Sequence, residues 1–581
     1  MSSDSSGSTS VFSLPTATPP NLRQNGINPA AKWLVQKFGG TSVGKYPVEI
    51  ARDVVSDFID SNKVAVVCSA RSGSTKLLGT TNMLLRAASE AIERPPKTAR
   101  SHGPAPPTPG PSRSGSFSGH DILPLSLAPL TIPTSGQTLP SFNVTVDLVR
   151  EGHYKAAKES IRDNDIRKEL EEEVDRDCDW LRSFLFASQV IDEISPRSKD
   201  SIIGLGERLA CKLMTAVLRD QGVDAEYVSL EDVVPEVDEN EQQLGQSFYD
   251  RVAVAVGERV KQCGRRVPVV TGFFGPVPGS LLALVGRGYT DLLSALLAVG
   301  LEATELQIWK EVDGIFTADP RKVPTARVLP VISPDEAAEL TYYGSEVVHP
   351  FTMEQVIRRK IPIHIKNVEN PAGGGTVIHP DPDVVGASPE ANGVLNQLQD
   401  AVTVAPLQGN DHRTLPTAVT IKENILVINI KSNRKSVSHG FFAGIFGTLD
   451  RFGVVVDLIS TSEVHVSMAI EDNLAPKLLD GLVRELKKSG TVTVHSNMAI
   501  LSLVGKHHFT GVAGRMFTTL GQGSVNIEMI SQGASEVNIS CVIKERDAVK
   551  ALNLIHQSCL QKPVKNGGKK SDGCFPLPDR H

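Results

Sequence analysis

Read from its residues alone, the chain is expected to be an α/β protein: a mainly parallel sheet sandwiched by helices, followed by two smaller α+β modules of ferredoxin-like type. Three observations carry this. Short apolar runs of strand length alternate with stretches of helical periodicity from about residue 32 to residue 380. Such alternation builds parallel sheets, because a parallel neighbour needs a crossover long enough to hold a helix. Beyond residue 381 the texture changes, and two stretches of the tail are copies of one another. The folded regions are set off by segments rich in Ser, Thr, Pro and Gly, which hold too little apolar surface to fold alone.

Residues 1–31 lack apolar periodicity and are expected to be a disordered N-terminal arm. The large domain covers 32–380. It opens with a strand at Trp33-Leu34-Val35, followed by a strand at 64–68 and a helix at 77–92. Residues 94–140, dominated by Pro, Ser, Gly and Thr, are expected to be a disordered insertion, since fold-like sequence flanks them. Residues 142–195 are mainly helical. Helices at 205–221, 291–300 and 346–360 then alternate with strands at 267–270, 305–309 and 361–365. In the tail, Ala443-Gly444-Ile445-Phe446 leads to Asp457-Leu458-Ile459-Ser460, and Ala513-Gly514-Arg515-Met516-Phe517 leads likewise to Glu528-Met529-Ile530-Ser531. Each copy reads as a β-α-β-β-α-β unit, and two such units stack to bury their open faces. The boundaries drawn are 398–494 and 495–565, with a flexible tail at 566–581.

Composition narrows the function. A net charge of −6 and an aromatic content of 5% give neither the basic footprint nor the stacking platforms of a nucleic-acid binder. The seven cysteines form no C-x-x-C pair and several lie in apolar runs, as reduced thiols do rather than a disulfide frame or zinc site. No run approaches a membrane span, and the Ser-rich start fits neither a signal peptide nor an Arg-rich transit peptide. A cytoplasmic protein with no membrane partner is expected.

The chemistry centres on Lys37-Phe38-Gly39-Gly40-Thr41-Ser42-Val43-Gly44 at the end of the first strand. A glycine turn lets the backbone approach an anion closely, Thr41 and Ser42 add neutral donors, and Lys37 adds a full charge for a phosphoryl group in transfer. It is no Walker loop, and a plain turn is the alternative. Ser69-Ala70-Arg71-Ser72-Gly73 follows another strand, Gly204-Leu205-Gly206-Glu207-Arg208 opens a helix, and Gly286-Arg287-Gly288-Tyr289-Thr290-Asp291 opens another. Arg287 can grip a carboxylate bidentately. Asp291 is placed to hold a metal or orient Lys37, or simply to favour its helix N-terminus, and Glu207 is either functional or a surface cap. The run from Lys310 to Arg321 has the charges and turn residues of a nucleotide loop, while His349-Pro350 reads as structural. No metalloenzyme spacing is present, so Mg²⁺ would arrive with a nucleotide.

With these motifs, from about Lys32 to Leu560 and excluding the insertion, the chain resembles the aspartate kinases of the amino-acid-kinase fold, most closely the fungal monofunctional form with two ACT modules. The resemblance implies transfer of the γ-phosphate of MgATP to the β-carboxylate of L-aspartate, the first step towards threonine and methionine. Lys37 would stabilise the transferring group, with Gly39, Gly40 and Ser42 around it, and Asp291 would organise Lys37. Glu207 would bind the substrate's amino group and Arg287 its α-carboxylate, while Ser69, Thr75 and Thr290 line that region. Phe316 and Arg321 match nucleotide positions. Asp457 matches the residue that holds an effector's amino group, with Ser438 nearby. Lys435, apolar in a lysine-sensitive bacterial enzyme, favours threonine as the feedback effector. Glu346 reverses the charge of a bacterial nucleotide lysine, and Thr290 replaces a serine. Homo-oligomerisation through the ACT modules is expected. A kinase for another acid and a catalytically silent amino-acid sensor are the rivals; Glu207 with Arg287 and the paired ACT modules argue against the first, and the joint presence of Lys37, Glu207, Arg287 and Asp291 against the second.

Overall fold

The computed structural model describes residues 22–26, 28, 30–72, 79–93, 141–234, 244–275, 277, 280–343, 348–380, 416–432, 440–505, 511–533 and 537–561. The expected insertion, the end of the chain and most of the N-terminal arm lie outside these residues. The arm is nevertheless fixed further upstream than expected. Arg23 bridges in parallel to Val223, and the buried Asn25 amide accepts from Val64 N at 2.7 Å and donates to Val64 O at 2.9 Å. A polar side chain that satisfies a strand's backbone leaves no apolar period to read.

The large domain runs β1 (Trp33–Phe38), α1 (Gly40–Lys45), β2 (Lys63–Cys68), α2 (Thr80–Ile92), α3 (Ser141–Ser160), α4 (Asn164–Ile191), α5 (Pro196–Asp220), β3 (Ala225–Val228), α6 (Gln246–Lys261), β4 (Val267–Thr271), α7 (Leu281–Val285), α8 (Tyr289–Gly300), β5 (Glu305–Lys310), β6 (Val331–Ile332), α9 (Pro334–Tyr342), α10 (Pro350–Ile357), β7 (Ile363–Asn367) and β8 (Thr376–Ile378). Among the described residues eight strands lie in the order β3-β4-β2-β1-β5-β7-β8-β6, all neighbours parallel except β7 with β8. Side chains alternate across the sheet into two cores. Val35, Ala65, Val67, Leu306 and Ile308 pack under α6 and α8, while Leu34, Val64, Val66 and Trp309 pack under α2 to α5. The sheet is sandwiched by helices, as the pattern of continuous apolar runs requires.

Helix α5 corrects one expectation. It starts at Pro196 behind the N-cap Ser195, whose hydroxyl accepts from Ser198 N, so Glu207 lies mid-helix and not at a helix start. The glycines read as an opening serve packing instead: a Cβ at Gly204 would meet the Phe273 ring at 2.6 Å. The glycine run after β1 is likewise not a free turn but the first turn of α1, with Gly39 as its N-cap.

The tail forms β9 (Ala418–Ser432), α11 (Phe441–Arg451), β10 (Leu458–Ser462), β11 (His465–Glu471), α12 (Pro476–Leu486), β12 (Gly490–Val504), α13 (Val512–Gln522), β13 (Ile527–Gln532), β14 (Asn538–Lys544) and α14 (Ala548–Ile555). Its sheet has the order β10-β11-β9-β12-β14-β13. The two 15-residue strands β9 and β12 pair along their lengths. Each changes module midway, at Asn424 and Asn497, both with φ 57°, a left-handed conformation that Asn tolerates better than other side chains. Residues 425–432 pack Leu426, Ile428 and Ile430 against α11 and α12. Residues 418–423 instead place Val419 in the other core, with Leu501, Leu503, Met516 and Leu552. Each module is thus an antiparallel four-stranded sheet under two helices, but the second takes its last strand from a segment that precedes the first. The boundary drawn at 494/495 falls inside β12, and the segment Ala401-Val402-Thr403-Val404, considered as an exchanged strand, lies outside the described residues. Ile425, Val427, Leu458, Met498, Ile500 and Met529 bury the open faces against each other.

A hydrogen-exchange measurement on Val419→Asp checks this topology. Protection should fall at least about tenfold across 498–504 and 538–544 and persist in 441–451; loss in 441–451 instead would assign the strand to the first module.

Candidate active site

In a parallel sheet the carboxyl ends of the strands share one edge, and the functional residues leave from there. Lys37 is the penultimate residue of β1 and shares the face of Val35, towards α8. It is 7% exposed, and its Nζ lies 2.7 Å from Asp291 Oδ1, in the first turn of α8. Burial pushes the Asp291 carboxyl up, but the charges of Lys37 and Lys310 outweigh it and hold the group below its ordinary value. An acidic residue in that first turn also meets the positive end of the helix dipole.

The loop after β2 lies on the loop after β1. Ser72 N donates to Gly40 O at 2.9 Å, and a Cβ at Gly40 would stand 2.1 Å from Ala70 O, so only glycine fits there. The fully buried Ser42 donates to Glu311 Oε1 at 2.6 Å. Its hydroxyl, expected around the phosphoryl group, here ties α1 to the end of β5.

Glu207 faces the same edge from α5. It is 2% exposed, which removes the surface-cap alternative. It accepts from Phe273 N at 3.0 Å, from the Thr290 hydroxyl and from the Tyr289 phenol. Burial raises its carboxyl to about 7, against the opposing pull of these donors and of the Lys37 charge. A cavity of about 130 Å³ lies over it, lined by Ser69, Ala70, Leu85, Glu207, Tyr289 and Thr290. On the other side, beyond β5, a cavity of about 810 Å³ is lined by Lys310, Glu311, Phe316, Arg321, Ile421 and Glu423, among others. Arg321 is largely exposed and pairs with Asp319 at 3.1 Å.

Lys37, Ser69, Glu207, Thr290 and Asp291 thus converge, with Gly39 and Gly40 beneath them, and Phe316 and Arg321 share the larger cavity. Arg287 has its backbone in the 3-10 turn Gly286–Gly288 leading into α8; its side chain lies outside the described residues, as do Thr75, Glu346, Lys435 and Ser438. Asp457, in the first tail module, pairs with Lys422 at 2.6 Å. His349 is structural, its ring accepting from Phe351 N to cap α10. Two further residues reach the site, and the sequence does not single them out. Tyr289 lies inside the Gly286–Asp291 run and lines the smaller cavity. Asp200 accepts from Ser280 Oγ at 2.8 Å and Leu281 N at 2.6 Å, capping α7, which leads to Arg287; its signal was a spacing of two helical turns from Glu207.

Residues 32–367 match the amino acid kinase family, and residues 501–559 match the ACT domain. With that sheet and that strand-end site, the chain belongs to the amino acid kinase family. The aspartokinase of Schizosaccharomyces pombe is 49% identical over 536 residues, covering 92% of this chain and 94% of the relative. That of Saccharomyces cerevisiae is 44% identical, covering 92% and 93%. Within the family this chain is therefore one of the aspartokinases, an ATP-using kinase. Escherichia coli aspartokinase III, solved with aspartate and ADP, superposes with a TM-score of 0.62 at 24% identity, over 91% of this chain and all of that one; its form with lysine and aspartate gives 0.64. Both show the shared fold.

The raised Glu207 carboxyl makes stability depend on pH. The folded chain retains a proton up to about 7, whereas the unfolded chain loses it in the ordinary carboxylate range. Stability is therefore highest below that range and falls as pH rises through about 7. Glu207→Gln should be more stable than the parent at pH 8, by up to about 3 kcal/mol, and no more stable at pH 4. Thermal unfolding at the two pH values checks this, and an equal difference at both would refute it.

Proposed function

We propose that this enzyme transfers the γ-phosphate of MgATP to the β-carboxylate of L-aspartate, giving 4-phospho-L-aspartate and ADP, and that threonine inhibits it through the ACT modules. One observation carries the reaction. The Lys37–Asp291 ion pair reaches Glu207 on one side and Lys310 on the other, and so stands between a small cavity floored by a buried carboxylate and a large one walled by charged loop residues.

The division of labour follows from the chemistry. Glu207, held by Phe273, Tyr289 and Thr290, takes the substrate ammonium, and that charge brings the carboxyl back into its ionised form. Arg287 takes the α-carboxylate. The β-carboxylate is already ionised near neutral pH, so no general base is needed. Its oxygen forms the new bond to phosphorus while the bond to the β-phosphate oxygen breaks, and ADP leaves with the electron pair. What remains is positioning and neutralisation of the moving phosphoryl group. Lys37 supplies the charge, and Asp291 keeps the ammonium on target. Phe316 and Arg321 flank the nucleotide, whose Mg²⁺ enters with it. The aspartate and ADP named with the Escherichia coli enzyme agree with this pairing. Asp457 and Ser438 hold the effector, the first by its ammonium, and assembly into homo-oligomers runs through the ACT modules.

Purified protein with MgATP and L-aspartate should form an acyl phosphate trapped by hydroxylamine, and Asp291→Ala should lower its rate by about 100-fold or more; no product from the parent would overturn the reading. Asp457→Ala should relieve threonine inhibition while uninhibited turnover stays within about twofold. Undiminished threonine sensitivity in that variant would remove Asp457 from the effector site.

A further inference from the structure

The large cavity is not built by the kinase domain alone. Ile421 and Glu423 of β9 and Leu552 of α14 form its far wall. The loop on its near wall is fastened to the same two elements. Val419 N donates to Thr317 O at 2.8 Å, Thr317 Oγ1 lies 2.9 Å from His556 Nε2, and Asn553 Nδ2 donates to Lys322 O at 3.0 Å. Ala318 and Val323 are buried in the core of the second ACT module. Lys322 Nζ pairs with Glu423 at 2.7 Å. The loop carrying Phe316 and Arg321 therefore sits where β9 and α14 put it.

The next residue on β9 faces the other way. Neighbours in a strand project to opposite sides, and Lys422 reaches Asp457 Oδ1 at 2.6 Å. The second Asp457 oxygen is buried with no hydrogen-bond partner among the described residues. An amino acid whose ammonium comes to Asp457 thus meets a carboxylate already half neutralised from within. It must share that carboxylate with Lys422 or displace it, and either event changes the hold on β9 one residue from Glu423.

We propose that Glu423 is a positioning residue for the nucleotide loop, and that β9, bearing Lys422 and Glu423 back to back, turns occupancy of Asp457 by an amino-acid ammonium into a loss of ATP affinity. This rests on reading the large cavity as the ATP site. A half-exposed pair such as Lys322–Glu423 is worth at most about 1 kcal/mol, or about fivefold in an affinity, which sets the scale of the test.

Steady-state kinetics of the full chain, with direct binding of trinitrophenyl-ATP, provides it. In Glu423→Gln the KM for ATP and the Kd of the analogue should rise about fivefold, with kcat and the KM for aspartate within about twofold of the parent. Threonine, used as the probe, should need a several-fold higher concentration for half-inhibition. Lys322→Met should repeat the ATP effect from the other side, and the exchanged pair Lys322→Glu with Glu423→Lys should restore it, which a merely structural role would not. Unchanged ATP parameters, or equal changes in kcat and both KM values, would overturn the proposal. A parent that forms no acyl phosphate, together with weaker analogue binding in Glu423→Gln, would sink the proposed reaction and leave this inference standing.

Discussion

A parallel sheet brings the carboxyl ends of its strands to one edge, and the candidate active site is arranged along that edge. Strand β1 lies between β2 and β5, so the loops leaving these three strands are neighbours whatever their separation in sequence. Lys37 ends the first, Ser69 follows the second and Lys310 ends the third. Helix α5, under the sheet, adds Glu207, and the start of α8 adds Asp291. The position of each group is thus inherited from backbone hydrogen bonding, which is rigid, and not from the loops themselves.

Among the described residues of that edge, one ion pair, Lys37 with Asp291, is nearly closed off from water. Lys37 is nearly buried and would be costly there without Asp291. Asp291 would be costly without Lys37, and the pair is short and direct. Glu207 is different. It is deeper, its partners are neutral donors, and its carboxyl is left on the verge of protonation at neutral pH. A carboxyl poised in that way is returned to its ionised form by any cation brought beside it.

Much of this could be read from the residues. Lys37, Asp291 and Ser69 were legible because they stand where apolar strand runs stop or helix periods begin, and the tail duplication was legible because its two copies keep their spacing. Glu207 was legible as a residue but not as a depth, since Gly204 and Gly206 look like a helix start and in fact admit Phe273 and Leu84 to the helix surface. The Ser42–Glu311 contact was not legible, because nothing local announces Glu311 as a partner of that hydroxyl. The pairs Lys322–Glu423 and Lys422–Asp457 were out of reach for the same reason. Their members are charged residues in unremarkable positions, joined only by the course of β9 between two cores.

That course has a consequence for how the chain is made. The strand that completes the second ACT module leaves the ribosome before any of the first, and its partner on β12 follows only after the whole first module has been synthesised. The modules are nested, one inside the other: the inner one, residues 425–497, is complete before the outer one has its second half. Residues 418–423 must wait as an unpaired edge, and the loop of Phe316 to Lys322 anchored to them waits too. Until the C-terminal helices are complete, the far wall of the large cavity does not exist, so an unfinished chain carries Lys37 and Asp291 without the surface that faces the Phe316–Arg321 loop.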